Sequence, residues 1–265
     1  LNYEQMDTFC HRMLTAGGKN NSGLSPKTVS DILSLIRCIL QYASEKGNPA
    51  GYNGKSLSIR QEPKDLRILS LTEQKKLYTF LYSSEDYRDV GILISMFTGL
   101  RIGEICALKW QDISFSEKTL FVHQTMQRLQ TDENEEKKTK ILISTPKSQC
   151  SIRIIPLPQE LCEYLLLQQK PADAYLLTGT VFQYIEPRNM QNRFRKVTEI
   201  CGIKNVNFHC LRHTFATRCI EAGFDIKSLS EILGHANVNI TMNRYVHPSL
   251  ELKRENMNRL TNLFA

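Results

Sequence analysis

The sequence has no Cys-x-x-Cys pair among its eight cysteines, no internal repeat and no low-complexity tract. Cys106, Cys210 and Cys219 fall inside apolar helical patterns. A disulfide framework is thereby disfavoured, and buried, reduced thiols of a cytosolic protein are expected. No apolar run approaches the roughly 20 residues needed to span a bilayer, so no membrane partner is expected. The N-terminus lacks the charged-then-apolar order of a secretory signal. It also lacks a methionine: the chain opens on Leu1, as a piece with its upstream part removed would. There is no Gly-x-x-x-x-Gly-Lys-Ser/Thr, which leaves nucleotide-driven chemistry without support. His209 and His213 have the i, i+4 spacing of a zinc-binding helix, but the zincin pattern needs Glu directly after the first His, where Cys210 stands. Arg212 between them would repel a divalent cation. Neither a metal nor a cofactor is expected.

What is present is an ordinary globular composition with an uneven charge. The 265 residues are 41% hydrophobic and 23% charged, with a net charge of +7. That length accommodates one large or two ordinary domains. Residues 1–69 hold nine Lys/Arg against six Asp/Glu, residues 70–187 thirteen against fifteen, and residues 188–265 twelve against six. A basic excess at both ends fits a polyanion gripped from two sides. A mildly basic protein without such a partner fits the charge equally well.

Periodicity and capping signals predict a mainly helical chain with a small antiparallel sheet. Residues 2–16 read as a helix ended by Gly17-Gly18. Ser25-Pro26 opens a longer one, Ser as cap and Pro at the first helical position, with Val29, Ile32, Leu33, Ile36, Ile39, Leu40 and Ala43 as its buried stripe. Residues 51–69 show no helical period. We expect a small helical domain over 1–55, a linker over 56–69, a larger domain over 70–249 and an amphipathic tail helix over 250–265. In the larger domain Thr72 is expected to cap a helix, followed by helices over 87–97 and 102–109. Strands are expected over 119–123, 139–145 and 151–157, with a solvated, flexible tip over the acidic run 132–138. Helices follow near 158–169, 188–201, 209–222, 226–233 and 239–245. On the 209–222 helix, His209 and Arg212 share a face pointing off the packed scaffold, and Leu211, Phe215, Cys219 and Ile220 turn inward.

Each polar candidate has a structural reading when taken singly. Arg101 at a helix mouth pairs readily with Glu104, and Lys147 suits an ordinary turn. His235 after Gly234 suits a C-terminal cap, and Tyr245 is one of ten tyrosines. Together they are more specific. Thr98-Gly99-Leu100-Arg101-Ile102-Gly103-Glu104, Thr145-Pro146-Lys147, His209-x-x-Arg212, Leu233-Gly234-His235 and Tyr245 occur in one order. That order resembles the tyrosine recombinases of the phage-integrase family over roughly residues 70–250. The helix opened by Ser25-Pro26 resembles the family's core-DNA-binding domain, and the acidic hairpin near 126–142 resembles integrases of conjugative transposons.

The resemblance implies a two-domain clamp closing around double-stranded DNA, and a site-specific recombinase acting without metal or ATP. It implies Tyr245 as nucleophile, Arg101 and Arg212 as phosphate clamp, Lys147 as general acid, and His209 and His235 as further hydrogen-bonding groups. Partners implied are attachment-site DNA, three further copies in a tetramer, and an excisionase or host DNA-bending factor. The tail helix is the candidate for docking on a neighbouring copy. The setting implied is a bacterial cytoplasm, at the nucleoid. No stretch is assigned to the arm-site domain that many such integrases carry. A type IB topoisomerase, a catalytically silent DNA-binding regulator and a metal-dependent nuclease are the rival readings. The last lacks the carboxylate cluster of metal-assisted phosphoryl transfer.

Overall fold

The computed structural model describes residues 2–48, 57–61, 66–131, 138–146, 148–246, 254 and 257–258. The chain divides into two compact units, Leu1–Asp65 and Leu66–Ala265. In the first, α1 (Tyr3–Ala16) starts at a capping box, Asn2 accepting from the Gln5 amide at 2.8 Å and the Gln5 side chain accepting from the Asn2 amide at 3.0 Å. Ser25 caps α2 (Pro26–Glu45) through the Thr28 amide. Met6, Cys10, Val29 and Leu33 form the core with Leu57, which lies in the stretch expected as linker. Ile39 falls outside the buried stripe and is exposed.

The second unit opens with α3 (Leu71–Tyr82). Its cap is Ser70, not Thr72: Ser70 and Glu73 form a reciprocal capping box, at 3.2 and 2.8 Å. The Ser-x-x-Glu signature outcompetes the later threonine because it satisfies two orphan amides at once. Next comes α4 (Tyr87–Thr98), the interior helix of the unit, with Val90, Gly91, Ile92, Leu93, Ile94 and Ser95 all buried. A helix apolar on all sides belongs in a core. Asp89 on it is buried too, held by Arg193, as a buried carboxylate must be.

The short α5 (Ile102–Ala107) stops two residues before the expected end. Three strands, β1 (Ile113–Ser114), β2 (Thr119–Val122) and β5 (Arg153–Pro156), make one antiparallel sheet in the order β1-β2-β5. Strands β3 (Thr125–Gln130) and β4 (Thr139–Ser144) pair separately, Thr125 opposite Ser144 and Gln130 opposite Thr139. The acidic tip expected between them lies outside the described residues, apart from Lys138. Gly103 lets α5 approach β3, since a Cβ there would sit 2.7 Å from the Met126 carbonyl oxygen.

The remaining helices are α6 (Gln159–Leu166), α7 (Pro187–Ile200), α8 (His209–Glu221), α9 (Ile226–Leu233) and α10 (Val238–Tyr245). Helices α8, α9 and α10 share a small apolar cluster of Ala216, Cys219, Leu229, Leu233 and the ring of Tyr245. The cluster fixes the end of α10 against α8. The expected tail helix lies outside the described residues except for Arg254, Met257 and Asn258. Among the described residues no helix is long and apolar enough to cross a membrane.

Candidate active site

Two helix ends build the site. Helix α4 terminates at Gly99 and helix α9 at Gly234, both left-handed with φ of 63°. A helix C-terminus leaves carbonyls without intrahelical partners, carrying partial negative charge. Here those oxygens receive arginines. Arg212, from α8, donates to the Gly99 oxygen at 3.0 Å and to the Leu233 oxygen at 2.7 Å. Arg101, immediately before α5, donates to the Gly234 oxygen at 3.3 Å and to Glu104 at 2.9 Å.

Glu104 is buried between two guanidiniums. Its other partner is Arg153 of β5, at 3.0 and 3.2 Å, and Arg153 also donates to the Ile232 oxygen at 2.6 Å. Burial alone would raise the Glu104 pKa. The hydrogen bonds and charge of Arg153, with the charge of Arg101, pull it below the usual carboxylate value. Arg212 is only 2% exposed. Burial, with Arg101 nearby, draws its pKa down to about 9, which still leaves it cationic at neutral pH.

Tyr245 closes α10 and is 6% exposed. Its hydroxyl lies 2.9 Å from Nδ1 of His213. Burial raises its pKa, against the charges of Arg212, Arg244 and Arg101. His209, one turn before His213, meets that ring edge-on with centroids 4.5 Å apart. His235 follows Gly234, and its Nδ1 pairs with Thr241 at 2.8 Å. Desolvation first, then the charges of neighbouring groups (arginines around His209 and His235, His209 and then arginines around His213), lower His209, His213 and His235 to about 4. All three imidazoles are neutral at pH 7.

Arg101, His209, Arg212, His235 and Tyr245, drawn from four separate stretches of sequence, are therefore gathered within one unit, near enough for the charges of both arginines to act on His209, His235 and Tyr245. Lys147 lies outside the described residues. Arg212 does not point off the scaffold as expected but is buried, because two helix ends converge on it. Sequence reasoning passed over His213 as the partner of the phenol and Arg153 as the second hold on Glu104. The adjacency of His213 to Arg212 was the available signal; nothing local announces Arg153. A cleft of about 430 Å³ beside the site is lined in part by Arg188, Gln191, Asn192, Arg195, Asn207 and His209. Among the described residues no group of three or more His, Cys, Asp or Glu is arranged to hold a metal ion.

Comparison with known proteins places this chain beside the phage integrases. Residues 67–251 match the model of the phage integrase family. The XerC-like tyrosine recombinase of Caldanaerobacter subterraneus subsp. tengcongensis is 29% identical over 269 residues, covering 91% of this chain and 68% of the relative. The ICEBs1 integrase of Bacillus subtilis is 26% identical over 272 residues, covering 96% of this chain and 71% of the relative. Among solved structures, the integrase of transposon Tn1549 in complex with a circular intermediate DNA superposes with a TM-score of 0.76. It is 22% identical and covers 97% of this chain and 84% of that one. At that identity the likeness is one of fold.

Proposed function

The chain belongs to the phage integrase family and is a tyrosine-type site-specific DNA recombinase; from that premise we propose that Tyr245 breaks a DNA strand by attacking a phosphodiester held between Arg101 and Arg212. The observation that carries the reading is a buried phenol in the electrostatic field of Arg212 and Arg101, within one chain, both arginines being seated on the same helix ends. A phosphodiester is already anionic, and attack adds charge to its non-bridging oxygens. Two forked donors, both cationic at neutral pH, stabilise that charge. His209 and His235, neutral before DNA binds, add hydrogen bonds to the same oxygens.

The phenol becomes a 3′-phosphotyrosyl ester and a 5′-hydroxyl departs, its proton supplied by Lys147. The ester conserves the energy of the broken bond, so a second strand rejoins without nucleotide or metal. The substrate is double-stranded DNA, and four copies act on two sites. Relatives named for mobile elements make integration and excision of such an element, in a bacterial cytoplasm, the biological reading. An excisionase or DNA-bending factor fits as accessory partner.

The deciding experiment uses a nicked suicide substrate in EDTA. Wild-type protein is expected to form a covalent adduct, and Tyr245→Phe to bind the same DNA normally yet form none. An adduct that survives Tyr245→Phe moves the nucleophile elsewhere.

A further inference from the structure

Taking Tyr245 as the nucleophile, we propose that His213 is the residue that receives the phenolic proton during attack, through its Nδ1. The groups that meet the phenol differ in what they are able to accept. Arg212 acts on the phenol through its charge, is bonded to the Gly99 and Leu233 oxygens, and has no lone pair to take a proton. The Nδ1 of His235 is engaged with Thr241. His209 stands one ring further away, against His213. His213 alone of these is an imidazole with a ring nitrogen at hydrogen-bond distance, 2.9 Å, in a buried setting.

The step balances. A bond forms between the Tyr245 oxygen and phosphorus, the bond from phosphorus to the 5′-oxygen breaks, and the phenolic proton passes to Nδ1. The departing oxygen takes its proton from Lys147. Rejoining reverses each transfer, and His213 returns the proton to the phenol.

The surroundings make this transfer depend on substrate. His213 is faced by His209 and Arg212 on its own helix and by Arg244 and Tyr245 on α10. Burial, with these neighbours, keeps the imidazole a weak base without DNA. A phosphodiester anion seated on Arg101 and Arg212 offsets their charge and raises the basicity of the ring. Tyr245 thus stays protonated until there is a phosphate to attack.

The test follows the covalent adduct in single turnover with His213→Asn, whose side-chain amide keeps a hydrogen-bonding group near the Nδ1 position but takes no proton. Positioned proton transfer contributes about 100-fold or more, so adduct formation should slow by about that factor with DNA affinity unchanged. The pH limb assigned to the base should vanish. A substrate with sulfur in place of the bridging 5′-oxygen, whose thiolate leaves without a proton, should rescue Lys147→Ala and not His213→Asn. A wild-type rate and pH profile in a folded His213→Asn overturns the assignment while leaving Tyr245 as nucleophile; absence of adduct from wild-type protein overturns the reading beneath it. Should that variant not fold, ¹⁵N-histidine NMR of the wild-type protein decides. Nδ1 of His213 should be unprotonated in the free protein and protonated when the adduct forms, and a proton on Nδ1 in the free protein overturns it.

Discussion

Arg101 has divided duties at the level of its single side chain. One arm of the fork is fixed by Glu104 and another reaches the Gly234 oxygen, yet the side chain remains 38% exposed and able to meet an anion. Arg101→Lys keeps the charge and loses the fork. Losing one preorganised donor costs on the order of 3 kcal/mol of barrier, about a hundredfold in rate, so adduct formation should slow by that factor while gel-shift affinity stays near wild type. The imidazoles give a second prediction. His209, His213 and His235 are lowered from 6.5 to about 4. Between those values the unfolded chain binds protons that the native one refuses, so stability rises with pH across that window. Acidifying from about pH 6.5 towards 4 should therefore lower the urea midpoint, and bound DNA should blunt the fall. A midpoint unchanged between pH 7 and pH 5 contradicts the depressed values.

Whole elements meet at the two glycine ends. A Cβ on Gly99 would lie 2.6 Å from Phe215 and 3.0 Å from Leu233, at a φ of 63° that already disfavours L side chains. Gly99→Ala should cost about 1–2 kcal/mol from backbone conformation alone, more from the clash, and should slow cleavage because the Gly99 oxygen seats Arg212. Gly47 has a φ of 83° with nothing within 4 Å, so Gly47→Ala should show only the backbone cost in a thermal melt. The contrast separates strain from displacement. Helix starts such as Ser25-Pro26, and glycine stops such as Gly99 and Gly234, were legible because their causes are local. Strand β3 was not: in Thr125–Gln130 only Met126 is buried, so it carries no alternating pattern. The burial of Arg212 was equally hidden. Its partners are main-chain oxygens 113 and 21 residues away, and no periodicity reports them. In sequence His213 stands out only by its spacing to His209, a metal-helix spacing that Cys210 and Arg212 argue against, whereas its distance to Tyr245 arises only when α10 packs on α8.

For the molecule as a whole, every described contact of the site falls within Leu66–Ala265, and the cores of the two units share no residue. Residues 66–265 expressed alone should unfold in one cooperative transition and retain Tyr245-dependent cleavage, with weaker binding and a shallower salt dependence from lost phosphate contacts. Failure of that piece to fold would show that the second unit needs the first. The seat of Arg212 has a wider consequence. Backbone oxygens hold it, so, provided the glycine that ends α4 is kept, drift among the other neighbouring side chains leaves that deeply set cation in position. Descendants of this sequence are free to change which duplexes they accept while the strand-breaking centre stays as it is.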